Sequence, residues 1–238
     1  MRDRTVVITG ASRGLGEALA LTFARAGARL VLGARDVARL EAVARECGGD
    51  TIARACDVRE PAQLRALVAT AVERFGALDV MINNAGFSVY GPLLDTTEAD
   101  FDEMLATNVK GVYFGCQAAL RAMREAGRGL IVNVSSIAGA RHLPNESAYG
   151  ATKWAVQGLT GVLQQEAAAF GVRVTSLIAG GIATPFWDGR EYVPFPRERL
   201  DPSRDFMDPA EVAEVVLDVA RKSDRFVMPE VMCLPLIP

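Results

Sequence analysis

Tyr149 and Lys153 stand four residues apart in the run Tyr149-Gly150-Ala151-Thr152-Lys153. On a helix that spacing places both side chains on one face. A phenol beside an ammonium is a candidate acid/base. An ordinary tyrosine, with a pKa of about 10, is a poor base at neutral pH, but a neighbouring cation favours the phenolate and makes the proton easier to lose. Such a group suits the interconversion of a carbonyl and an alcohol, in which the oxygen gains or loses a proton as charge develops on it. A hydroxyl at Ser136, just past the apolar run at 130–134, would donate a hydrogen bond to that oxygen. An isolated Tyr/Lys pair at this spacing is more often a pair of surface neighbours. The elements that precede this one give it another reading.

Short β-branched runs alternate with longer helical patterns along all 238 residues. Strands are expected at 4–9, 29–34, 51–55, 78–82, 130–134, 172–178 and, last, 225–228. Helices are expected at 14–26, at 37–47 with Asp36 as N-cap, and at 61–75 with proline in the first turn. A long helix capped by Thr96 or Thr97 should reach Glu125, another should span 149–170, and a final one should follow Pro209. Val6-Val7-Ile8 and Leu130-Ile131-Val132 are apolar throughout, as in strands buried on both faces, which implies a parallel sheet covered by helices on each side. The fold class is therefore α/β: one domain over 1–238, a doubly wound, Rossmann-type parallel sheet of about seven strands. The stretch 179–208, with prolines at 185, 194, 196 and 202, is a long loop at the carboxyl edge of that sheet, the expected place for a substrate lid.

Strand one runs into Thr9-Gly10-Ala11-Ser12-Arg13-Gly14-Leu15-Gly16. Its glycines allow a sharp turn and a close backbone approach to a pyrophosphate, and the helix that follows offers free N–H groups and a positive dipole end. A glycine-rich turn alone is only a tight connection; after a first strand and before an amphipathic helix it reads as a dinucleotide site.

Composition narrows the remaining choices. Half of the chain is hydrophobic, 23% is charged and the formal net charge is −3, so there is no general attraction to nucleic acid or to an anionic membrane. No apolar run approaches the roughly 20 residues that cross a bilayer. Met1-Arg2-Asp3-Arg4 leads into a strand rather than a leader, and a cytoplasmic protein is expected. Cys47, Cys56, Cys116 and Cys233 lack metal-ligand spacing and His142 is the only histidine. No metal is expected, and the cysteines should be reduced and structural.

The T-G-x-x-x-G-x-G spacing of the turn, followed by Cys56-Asp57-Val58, Asn83-Asn84-Ala85-Gly86, Ser135-Ser136 and Y-x-x-x-K in that order, resembles the short-chain dehydrogenases/reductases over nearly the whole chain. The resemblance implies a hydride transfer between a nicotinamide cofactor and a ketone or secondary alcohol. It implies that Asp57 and Val58 meet adenine, that Asn84, Ala85 and Gly86 shape the cofactor pocket, and that Asn108 is the catalytic asparagine, holding a water that relays protons to Lys153. It favours Ser136 over Ser135 as the catalytic serine, with Ser135 facing the cofactor. Tyr149 and Lys153 would serve both catalysis and cofactor binding, Lys153 through the nicotinamide ribose. It also implies a homodimer or homotetramer built on the two long helices.

For the cofactor, NADP(H) is favoured over NAD(H). Ala34 closes strand two where NAD-preferring relatives place an acid; Arg35 comes next, and a guanidinium matches a 2′-phosphate. Arg13 is a second candidate, and Asp36 is more simply a helix cap. After strand six the chain reads Ile178-Ala179-Gly180-Gly181-Ile182-Ala183-Thr184. The family has proline where Ala179 stands, so the loop loses a fixed φ; Gly180 and Thr184 keep their places on the cofactor, and Ile182 and Thr184 are expected still to hold the carboxamide. Phe186, Trp187, Tyr192 and Phe195 suggest either an aromatic lid over an apolar substrate or packing onto the domain or a second subunit. His142 either lines the pocket or is a plain loop side chain. The competing functions are a catalytically silent nucleotide-binding sensor or scaffold, and an epimerase or dehydratase of the extended kind, for which this length is too short.

Overall fold

The computed structural model describes residues 1–189, 192–193, 195 and 200–236. Its strands are β1 (Thr5–Thr9), β2 (Arg29–Ala34), β3 (Thr51–Ala55), β4 (Val80–Asn83), β5 (Gly129–Val134), β6 (Val172–Ala179) and β7 (Glu230–Cys233). They form a single sheet in the order β3-β2-β1-β4-β5-β6-β7, every pairing parallel. The chain reverses its direction of winding at β1, so the carboxyl ends of β1 and β4 open a crevice between them. The helices are α1 (Gly14–Arg25), α2 (Val37–Cys47), α3 (Pro61–Phe75), α4 (Glu98–Met104), α5 (Gly111–Ala126), α6 (Ser147–Ala168), the short α7 (Pro202–Asp205) and α8 (Pro209–Arg221).

Alternation along the strands builds two cores. Val6 and Ile8 of β1 point into one, with Leu19 and Phe23 of α1, Leu40 of α2 and Val216 of α8. Val7, between them, points into the other, with Leu64 and Leu67 of α3, Cys116 of α5 and Val156 of α6. All of these are buried, as the two-sided burial of a parallel sheet requires. Beneath the crevice a polar seam joins the central strands: Asn83 Nδ2 donates to Asn133 Oδ1 at 2.9 Å, and Asn133 Nδ2 donates to Thr160 Oγ1 on α6 at 2.9 Å.

Several boundaries differ from the sequence expectation, most of them by one or two residues. The last strand is Glu230–Cys233, not 225–228. Pro229 has no N–H for a ladder, and its carbonyl instead accepts the Ser176 N–H at 2.9 Å, which starts the pairing one residue before Glu230. The long helix is not uniform: a π-helical turn, Leu105–Lys110, separates α4 from α5. Thr97, not Thr96, caps it, accepting the Asp100 N–H at 3.1 Å. Helix α6 begins at Ser147, ahead of Tyr149. Among the described residues no helix is long and apolar enough to cross a membrane.

Candidate active site

A cavity of about 780 Å³ opens at the carboxyl edge of the sheet, from the glycine turn to the loop after β6. At its floor Gly10 has φ +66° and Gly14 φ +61°, backbone that side chains rarely adopt. A Cβ on Gly10 would lie 2.8 Å from the Ala85 Cα, and one on Gly16 would run into the Gly10 carbonyl oxygen. Asn84 fastens the turn from the neighbouring strand: its Nδ2 donates to the Thr9 carbonyl at 2.9 Å, and Thr9 Oγ1 accepts the Asn84 and Ala85 N–H groups at 3.0 and 3.1 Å. No side chain caps α1, which leaves its first turn for a ligand oxygen. Ser12, Arg13, Gly14, Leu15 and Gly16 all line the cavity. An uncapped helix on a glycine cradle that admits backbone alone fits a pyrophosphate.

At the far end Ala34 closes β2, and Arg35 lines the cavity together with Arg39 and Asp36. Asp36 caps α2 as expected, accepting the Arg39 N–H at 3.1 Å. Arg39, one helical turn on, is a cation that sequence reasoning missed; its three-residue spacing from Asp36 was the available signal. Arg35 has only a loose ion pair, 4.0 Å from Glu103. Asp57 and Val58 line the same end. Arg59 grips the Asp57 carboxylate at 2.6 Å and, through that side-chain hydrogen bond, holds its pKa below the usual carboxylate value.

Strand β5 delivers Ser135 and Ser136 to the cavity wall. Ser136 Oγ accepts the Ala138 N–H at 3.1 Å, capping a short 3₁₀ turn at Ile137–Gly139, so its proton remains available to a ligand. Ser135 Oγ is buried with no hydrogen-bond partner among the described residues, an orphan that a bound group would satisfy. Helix α6 brings in Tyr149 and Lys153, both buried. Lys153 Nζ donates to the Val134 carbonyl at 3.0 Å and lies 5.6 Å from the centre of the Tyr149 ring. Burial pushes its ammonium down to about 8.

Asn108 is placed differently. It sits on the π-helical turn, 1% exposed, and is not part of the cavity wall. Its Nδ2 donates to the Phe87 carbonyl at 2.8 Å and to Thr152 Oγ1 at 3.1 Å, while its Oδ1 accepts the Phe87 N–H at 3.1 Å. The amide thus ties the loop after β4, which carries Gly86, to the helix that carries Lys153. A Cβ on Gly86 would meet Asn108 Oδ1 at 3.2 Å and Lys153 Nζ at 3.8 Å.

The loop after β6 is held despite the missing proline. Gly180 N–H donates to the Cys233 carbonyl at 2.8 Å, Met207 N–H to the Gly181 carbonyl at 3.1 Å and Ala183 N–H to the Met207 carbonyl at 2.9 Å. Gly180, Ile182 and Thr184 line the cavity. An aromatic wall completes it: Trp187 stacks on Tyr90 with centroids 6.0 Å apart, Tyr90 meets Tyr149 edge-on at 5.6 Å, and the Trp187 indole N–H donates to the Ile182 carbonyl at 2.8 Å. Phe186 and Phe195 belong to the same wall, and Tyr192 does not line the cavity. Pro194 and Pro196 lie outside the described residues. Glu146, one turn before Tyr149, also lines the cavity; sequence reasoning passed over it because nothing in its type announces burial. His142 is exposed and stacks on Trp154 at 5.6 Å, away from the cavity.

All four thiols are free. Burial pushes Cys47 and Cys56 up to about 11 and Cys116 to about 12, which makes them poor nucleophiles.

Comparison with known proteins agrees with this geometry. Residues 4–191 match the family model described as short chain dehydrogenase. An uncharacterised oxidoreductase of Staphylococcus saprophyticus is 39% identical over 191 residues, 79% of this chain and 78% of that protein. An alcohol dehydrogenase from the archaeon Thermococcus sibiricus, complexed with 5-hydroxy-NADP, superposes with a TM-score of 0.85 at 33% identity, over 97% of this chain and 95% of that one. A 3-ketoacyl-(acyl-carrier-protein) reductase from Brucella melitensis, complexed with NADH, gives 0.85 at 30% identity, over 97% of each chain.

Proposed function

The chain belongs to the short-chain dehydrogenases, and on that premise we propose that it transfers hydride between NADP(H) and a ketone or secondary alcohol, with Tyr149 as general acid/base. One observation supports the reading: Tyr149, Lys153 and Ser136 all line the cavity whose floor is the glycine turn. The cofactor, when bound, supplies the hydride or accepts it.

In the reducing direction the Tyr149 hydroxyl gives its proton to the substrate oxygen. Lys153 stabilises the phenolate that results, since an ammonium at this range favours the charged form. Ser136 donates its hydroxyl proton to the same oxygen and stabilises the developing charge. Lys153 also reaches the nicotinamide ribose, and Ser135 gives its unpartnered hydroxyl to the cofactor. Asn108 assists by position. With its amide occupied by Phe87 and Thr152, a water relay to Lys153 runs beside that amide rather than through it.

Glycine-turn residues Gly10 to Gly16 take the pyrophosphate, Asp57 and Val58 the adenine, and Asn84, Ala85 and Gly86 border the nicotinamide side. Gly180 borders the cofactor, and Ile182 and Thr184 hold the carboxamide. Preference for NADP(H) rests on Arg35, supported by Arg13 and now Arg39, in a place where no acid closes β2. Residues 179–208 act as the substrate lid, through Phe186, Trp187 and Phe195. Exposed Tyr113 on α5 and Trp154 and Val162 on α6 suit a homodimer or homotetramer joined through these helices.

NADPH oxidation against a panel of ketones, aldehydes and β-ketoacyl thioesters tests the proposal. Turnover that is lost in Tyr149→Phe, with cofactor binding kept, is the expected result. Tight cofactor binding with no turnover of any of them would identify a silent nucleotide-binding protein instead.

A further inference from the structure

Glu146 immediately precedes α6, and its carbonyl accepts the Gly150 N–H at 2.6 Å, which sets it one helical turn before Tyr149. It lines the same cavity as Tyr149. The residue is only 5% exposed, and its Oε2 has no hydrogen-bond partner among the described residues. Burial pushes the carboxyl up to about 7, with no charge among the described residues contributing. A buried carboxyl without a partner destabilises the fold unless something met in use satisfies it.

The rest of the wall says what that something is. Trp187 and Tyr90 present stacked rings, and Phe186 meets Trp187 edge-on at 5.2 Å. Aromatic faces with the buried Glu146 carboxyl and the exposed Asp188 carboxylate along one wall are the surroundings that hold an organic ammonium, through cation–π attraction and an ion pair. A substrate carboxylate would be repelled there, and a hydrocarbon would leave the carboxyl unmatched. We propose that Glu146 is a substrate-recognition residue, and that it selects carbonyl or alcohol substrates that carry a protonated amine. On binding, the carboxyl releases its proton to water and forms an ion pair with the substrate ammonium; no other bond changes. The inference rests on the oxidoreductase reading above and names the substrate class of that site.

The test compares ketones of one shape. Dimethylaminoacetone and methyl isobutyl ketone differ only in a protonated N–H in place of a C–H, and homologues longer by two methylenes extend the reach. Wild-type protein with NADPH is expected to show kcat/KM at least about tenfold higher for the ammonium ketone of the better-fitting pair. In Glu146→Gln that ratio should fall to near unity, and Glu146→Asp, which keeps the charge, should retain part of it. Calorimetric titration of the same amines into NADP⁺-loaded protein gives a readout apart from turnover, with affinity expected to weaken about tenfold in Glu146→Gln. Equal use of the paired ketones by wild type, or a ratio unchanged in Glu146→Gln, overturns the role of Glu146 and leaves the oxidoreductase reading intact. Amine binding that depends on Glu146, with no ketone reduced, supports the recognition site and overturns the oxidoreductase reading instead.

Discussion

Lys153 Nζ lies 5.6 Å from the centre of the Tyr149 ring, one helical turn along the same buried face of α6. The pair is held by a carbonyl of β5, not by a carboxylate: Val134 takes the Lys153 hydrogen bond at 3.0 Å. The cation is therefore not neutralised, and its field is available to the phenol.

Removing the phenolic hydroxyl should remove the proton donor and little else. Tyr149→Phe is expected to lower kcat by about a hundredfold or more, with NADPH affinity close to that of wild type. Steady-state oxidation of NADPH and direct titration of the cofactor check the two halves separately.

The Lys153 charge should cost the ligand-free fold stability. Its native value of about 8 lies below the ordinary 10.5. Between the two the unfolded chain holds a proton that the native chain has released, so stability rises with pH across that window and the full cost applies below it. Lys153→Met, which removes a burial cost of the order of 3 kcal/mol and the bond to Val134, is expected to melt higher than wild type at neutral pH while losing turnover. Thermal melts of the two proteins without cofactor provide the measurement, and a lower Tm for the variant would contradict it.

Glu146 should show the opposite pH sense. Its carboxyl is raised from 4.5 to about 7, so the native state holds a proton that the unfolded state has lost in that window. Stability falls as pH rises through it, and the cost is complete above about 7. Glu146→Gln is expected to melt higher than wild type near about pH 8 and at the same temperature near about pH 4. Melting curves at the two extremes compare directly.

Arg35 is expected to read the 2′-phosphate. Arg35→Ala should weaken NADPH binding by about tenfold or more, the worth of a charge-assisted hydrogen bond, and leave NADH binding nearly unchanged. Arg39 beside it sets a floor under the loss. Unchanged NADPH affinity would remove the basis for the cofactor preference.

A methyl group at Gly16 has nowhere to go, because it would run into the Gly10 carbonyl oxygen. Gly16→Ala is expected to lower Tm and to weaken both nicotinamide cofactors by about tenfold or more. Parallel melts and titrations with NADPH and NADH register the two effects.

Most of the sheet was legible because two-sided burial writes itself as unbroken apolar runs: Val6-Val7-Ile8 and Leu130-Ile131-Val132 lie in the strands they suggest. The edge strand was not, since the chain from Phe226 to Leu234 is apolar on both sides of Pro229 and only the pairing with Ser176 decides where the ladder starts. The π-helical turn was also hidden: its extra residue shifts the register of a helix without changing its composition. In the site, the residues with distinctive types and spacing converge on the cavity. Asn108 was read from resemblance, and its three hydrogen bonds place it behind the wall. Glu146 escaped because a charged residue near a helix start reads as solvated until its burial is known, and Arg39, which is exposed, because only the folded cavity sets it alongside Arg35.

The chain has two tryptophans, and the fold sends them to different worlds. Trp187 lies flat on Tyr90 inside the cavity, while Trp154, 45% exposed, lies against His142 on the outer surface. One indole, partly buried, faces whatever enters the cavity, and the other lies on the face proposed to join subunits. A ligand entering the cavity would alter the emission of the first and assembly through α6 that of the second, so the protein carries its own optical gauges of occupancy and association with no label attached.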